Sequence, residues 1–107
     1  MAIGSEQRRN ERRPRIEAAF PASHVDAALD LLHLADMAWH DCYGPRELEI
    51  PPGVLDDILL LAHGDLAELA QVTRLAVIDY RDLRVAADRR RAGEVAGDRV
   101  TKGHRSL

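Results

Sequence analysis

GDLAELAQVTRLAVIDYRDLRVAADRRRAG, Gly64 to Gly93, is the segment of this 107-residue chain whose reading decides its architecture. Leu66, Leu69, Thr73, Ala76, Tyr80, Leu83 and Ala87 recur at alternating steps of three and four, which places them on one stripe of an α-helix. Asp65 stands at the N-cap position with Glu68 three residues on, a capping box, and Gly93 supplies a stop. Read as one element, the segment is a helix over 65–92, roughly 40 Å long at about 1.5 Å per residue.

Before it, PPGVLDDILLLAHG, Pro51 to Gly64, reads as a compact helix over 52–63 with prolines at its start and glycine at its end. Only Asp56, Asp57 and His63 interrupt its apolar circumference, so it is expected to be the most buried element. Earlier still, FPASHVDAALDLLHLADMAWHDCYGP, Phe20 to Pro45, predicts a helix over 23–43, capped by Ser23 with Asp26 at N3 and closed by Gly44 and Pro45. The expected fold is all-α, a small three-helix up-down-up bundle with a long third helix. Its core is drawn mostly from Ala and Leu, with one Phe, one Trp and two Tyr.

The net charge of −3 conceals a segregation. Residues 1–15 carry five Arg and two Glu, whereas residues 16–65 carry one Arg against ten acids. Residues 89–107 turn basic again, with six basic groups and two acids. Both basic ends lack apolar periodicity, which predicts disordered tails at 1–15 and 94–107 around a helical domain at 16–93.

A lone cysteine excludes an intramolecular disulfide, and no apolar stretch follows the first arginines to act as a secretion signal. The longest apolar run, Ile58 to Ala62, falls far short of the roughly 20 residues of a membrane span. A cytoplasmic location without membrane association is therefore expected. Fourteen Arg against one Lys, with abundant Ala, is the bias of GC-rich coding DNA and points to a bacterial source.

Candidate chemistry concentrates in HLADMAWHDCYG, His33 to Gly44. On a helical wheel Ala28, Leu31, Leu32, Ala35, Ala38, Trp39 and Cys42 gather on one side, and Asp26, Asp30, His33, Asp36 and His40 on the other. His33, Asp36 and His40 are the candidate ligands of a divalent metal. His33 and His40 lie two turns apart, about 10 Å, so one helix alone holds half a site at best. Phosphate loops, nucleophile elbows, His-Glu-x-x-His and paired cysteines are all missing, so the chain leans away from catalysis and no cofactor is expected.

Three functional readings follow. The first is a non-enzymatic interaction or adaptor protein, homodimeric through the long third helix, because a bundle whose third helix is the longest leaves the end around Tyr80 to Ala87 without cover. Leu69, Ala76, Tyr80, Leu83 and Ala87 are then its interface, and Leu75, Ile78 and Val85 a second strip. In this reading Asp26, Asp30 and Asp36 present an acidic face to a basic protein partner. The alternative is a metal-binding protein using His33, Asp36 and His40. The third is nucleic-acid association through the Arg-rich tails, disfavoured because those tails hold no aromatic residue for stacking and the acidic body can attract them itself.

Overall fold

The computed structural model describes the backbone of residues 2–100 and the side chains of residues 6–93. All of its regular elements are helical: α1 (Ala2–Ala19), α2 (Val25–Tyr43) after a 3-10 turn (Ala22–His24), α3 (Pro52–Ala62), α4 (Leu66–Ile78) and α5 (Tyr80–Val100). The chain is all-α, as expected, but five helices replace the expected three.

The first difference lies at the N-terminus, where α1 occupies the stretch expected to be a disordered tail. Arg8, Arg9, Arg12 and Arg13 recur at helical spacing, and α1 runs antiparallel to α2 with these arginines over the α2 aspartates. Ile16 and Phe20 anchor its end in the core. Pro14, whose missing N–H removes one helical bond, sits on the exposed side. Apolar periodicity was the wrong signal for this segment, because charge periodicity carries it.

The second difference is a break in the long third helix. Asp79 leaves helical geometry at φ −155° and ψ 87°, and its Oδ1 accepts hydrogen bonds from the Arg81 N–H (3.1 Å) and the Asp82 N–H (3.3 Å). Asp79 is thus the N-cap of a new helix, with Asp82 at N3. The break lets α5 turn across α3, burying Leu83 and Ala87, which a straight helix would have left uncovered. α5 continues to Val100, past the expected stop at Gly93; residues 101–107 of the expected basic tail lie outside the described residues.

The core joins Ile16 of α1 and Phe20 just after it to Leu29, Leu32 and Trp39 of α2, Ile58 and Ala62 of α3, Leu69 and Ala76 of α4 and Leu83 of α5. α3 exposes only Pro52 and Asp56 along its length. The α3–α4 turn passes through His63, in left-handed conformation at φ 51°, and Gly64 at φ 75°. A side chain at Gly64 would place its Cβ 2.4 Å from the Ala19 carbonyl oxygen, so this turn is where α1 ends against the rest of the molecule. Asp65 caps α4, accepting from the Glu68 N–H at 3.0 Å. Ser23 does not cap α2, which begins after the 3-10 turn without a side-chain cap.

Candidate functional site

The acidic face of α2 is occupied by the chain's own arginines. Arg9 Nη1 donates to Asp30 at 2.7 Å and Arg13 Nη2 to Asp26 at 3.1 Å, both on the surface. Asp36 is different: only 1% exposed, it belongs to the buried stripe with Leu32 and Trp39 rather than to a solvated face. Arg12 grips it with both terminal nitrogens, at 2.8 and 3.0 Å, and Asp36 Oδ1 also accepts from the Ile50 N–H at 2.9 Å. One carboxylate therefore ties together α1, α2 and the segment leading into α3. The basic partner expected for Asp26, Asp30 and Asp36 is α1 itself.

These contacts remove the basis of the metal site. Asp36 is committed to Arg12 and Ile50, and His40 Nδ1 lies 3.1 Å from the Glu47 carbonyl oxygen, so it closes the α2–α3 connection. Among the described residues, no group of three or more His, Cys, Asp or Glu side chains is placed to hold a metal ion, and His33, Asp36 and His40 are not brought together. Cys42, expected on the packing stripe, is exposed. Of the N-terminal arginines that would meet nucleic acid, Arg8, Arg9, Arg12 and Arg13 are paired with Asp26, Asp30 and Asp36, and Arg15 with Asp56.

Four of the five residues of the expected interface stripe are consumed internally, and Tyr80 stays exposed. Leu69, Ala76, Leu83 and Ala87 are buried within a single chain, because the turn at Asp79 folds the stripe onto α3 and α2 instead of leaving it for a second subunit. The same turn separates the second strip. Ile78 is left on one surface and Val85 on another.

Two concave surfaces among the described residues are predominantly apolar. The first is a groove between α2 and α4, which run side by side in the same direction. Ala27, Asp30, Leu31 and Leu34 face Leu66, Ala67 and Ala70 at one end of it, across a trough of about 620 Å³. Leu31, Leu34, Ala35 and Ala38 face Thr73, Arg74, Val77 and Ile78 at the other, across about 320 Å³. Leu34 is 59% exposed and Ile78 67%, beside the alanines that line the same groove. Solvent exposure of large apolar side chains costs free energy that burial would recover.

The second surface surrounds three of the chain's four aromatic residues; Trp39 and Tyr43 are one helical turn apart on α2, and Tyr80 joins them from α5. The ring of Trp39 lies 4.4 Å from that of Tyr43 and 5.7 Å from that of Tyr80, and the two tyrosines pack edge-on at 5.9 Å. The Trp39 indole N–H donates to Glu47 at 3.1 Å, and the Tyr43 hydroxyl donates to the Val77 carbonyl at the end of α4. Burial raises the Tyr43 phenol above its ordinary value, with Cys42, Tyr80 and Asp79 acting in the same direction and Arg81 opposing them. Beside this cluster is a cleft of about 590 Å³ lined by Trp39, Pro51, Val54, Tyr80 and Val85, with Arg81 and Arg84 at its edge. Beneath it, the buried Asp57 accepts from Arg84 Nε and Arg91 Nη2, each at 2.8 Å. No family model, curated protein or solved structure matches the chain.

Proposed function

We propose that the protein is a non-enzymatic interaction module of the bacterial cytoplasm that works as a homodimer, paired through the α2–α4 groove. The observation that carries this reading is the exposure of Leu34 and Ile78 in one apolar groove whose lining also holds alanines. A two-fold interface needs one patch that holds both protrusions and recesses, and this groove holds both. It also carries Asp30 at one end and Arg74 at the other. A two-fold axis through its middle sets each Asp30, exposed and held by Arg9 through Oδ1, near the second copy's Arg74, and that complementarity favours a second copy over an arbitrary apolar ligand.

The groove is about 18 Å long, from the 13 residues of α4, and two helices wide. Such a face sits at the low end of stable interfaces, near 1,000 Å² in total, which implies a dissociation constant in roughly the micromolar range. Size exclusion with light scattering tests the reading. Dimer is expected at tens of micromolar, with Leu34→Glu shifting it to monomer while helix content is unchanged. A chain that stays monomeric up to roughly millimolar concentration, or a Leu34→Glu variant as dimeric as the parent, overturns it.

A further inference from the structure

The cleft beside Trp39 shares no lining residue with the α2–α4 groove, and its composition is that of a ligand site. Its walls are apolar and aromatic, from Trp39, Tyr80, Val54, Val85 and Pro51. Its volume of about 590 Å³ lies within the range of small-molecule pockets. Its edge, by contrast, is cationic. Arg84 spends Nε on Asp57, and its Nη2 reaches back over Gly53, 3.1 Å from where a Cβ would stand. A side chain at position 53 would require this guanidinium to give by a few tenths of an ångström.

Charge does not balance at this edge. Asp57 is the only acid lining the cleft, and each of its oxygens already accepts from an arginine, Oδ2 from Arg84 and Oδ1 from Arg91. Arg84 and Arg91 together meet Asp57 and Asp88, the latter held by Arg91 Nη1 at 2.9 Å, which leaves Arg81 as surplus positive charge beside the terminal nitrogens of Arg84. Gly53 and Val54, whose N–H groups open α3, line the same edge, and no side chain caps that helix. Each of these groups favours an anion, and none is an acceptor for a cation.

We infer that the cleft binds a small aromatic carboxylate, its ring against Trp39 and Tyr80 and its carboxylate on the terminal nitrogens of Arg84 and on Arg81. The apolar walls exclude a polyphosphate or a sugar, which would bury hydroxyl or phosphate oxygens against Val54 and Val85 without donors. A neutral aromatic compound would fill the walls and leave the arginines unanswered. An arylalkyl acid satisfies both.

Trp39 is the only tryptophan in the chain, so its fluorescence reports occupancy directly. The probe is 4-phenylbutyrate titrated into the full chain, with 4-phenyl-1-butanol as the neutral comparison. A saturable change is expected with a dissociation constant between roughly 10 μM and 1 mM, the alcohol binding at least about tenfold more weakly. Arg81→Glu, at an exposed position, is expected to weaken phenylbutyrate about tenfold or more with unchanged helix content. Val85→Glu, also exposed, is expected to do the same by setting a carboxylate against the ligand's own. Absence of saturation by about 10 mM overturns the inference, as does equal affinity for acid and alcohol, or a parent-like affinity in both variants. Leu34→Glu, which tests self-association, is expected to leave this binding unchanged, so the two readings fail separately.

Discussion

Replacing Asp36 by alanine perturbs the one place where three parts of the chain meet through a single side chain. The Asp36 side chain is 2% exposed and that of Arg12 10%, so neither member of the pair is solvated. Removing the carboxylate strands the Arg12 guanidinium in a nearly dry site, and breaking a buried pair from one side costs about 3–5 kcal/mol. Part of that cost overlaps with the Ile50 N–H, which loses its acceptor at about 1–3 kcal/mol. The expected loss is therefore about 4 kcal/mol, a large share of the roughly 5–15 kcal/mol that holds a domain of this size. Urea unfolding followed by far-UV circular dichroism measures it. Asp36→Asn keeps an acceptor for Ile50 and loses only the charge, so about 2 kcal/mol is expected and the variant remains foldable. The double variant Arg12→Met with Asp36→Leu removes both charges together and is expected to be more stable than Asp36→Ala alone. It still leaves the Ile50 N–H without its acceptor and Arg8, 3.5 Å from Asp36, without that carboxylate, which keeps it below the parent. A loss under about 1 kcal/mol for Asp36→Ala, or effects at Arg12 and Asp36 that simply add, would refute this account of how α1 is held.

Glycine substitutions are expected to divide by sign. Gly64→Ala combines a left-handed φ of 75° with a Cβ 2.4 Å from the Ala19 carbonyl, so a loss of at least about 2 kcal/mol and a fall in Tm of about 8–16 °C are expected by calorimetry. Gly93→Ala, in α5 with nothing near the added Cβ, is expected to gain up to about 1 kcal/mol, and equal effects at the two positions would contradict the packing of α1 against the α3–α4 turn. Tyr43 holds its proton more tightly in the folded than in the unfolded chain, because burial raises its folded value above 10.0. Its contribution to stability is therefore complete below pH 10.0 and lost as pH rises through the higher folded value. Spectrophotometric titration is expected to show a late phenolate component that Tyr43→Phe removes, and a Tyr43 transition at or below pH 10.0 would contradict it.

The elements legible in the sequence were those whose signals are local. Asp65 and Glu68 mark the start of α4, Pro52 and the left-handed turn at Gly64 bracket α3, and Gly44 follows the end of α2. Asp79 carried a local signal too, an N-cap acid with Asp82 three residues on. The heptad stripe running through it masked that signal, since Leu69, Ala76, Leu83 and Ala87 keep the same helical spacing whether the helix is straight or broken. α1 left its trace as charge at helical spacing, which has meaning only beside a helix that presents the opposite charge in register.

Periodicity and caps are short-range, and they determined that this chain is helical and which residues carry its apolar stripes. What covers each stripe depends on residues far away along the chain, and only the tertiary structure decided it. Asp36 reads as a wet acid on α2 until Arg12, 24 positions earlier, is laid against it. Leu83 and Ala87 read as an interface until the turn at Asp79 brings α3 over them. Trp39 and Tyr80 read as unrelated until α2 and α5 meet at 5.7 Å between ring centres, and the cleft they line with Arg81 and Arg84 belongs to no single segment. A side chain's type is local, but its burial and its partner are set by which surfaces the folded chain presses together.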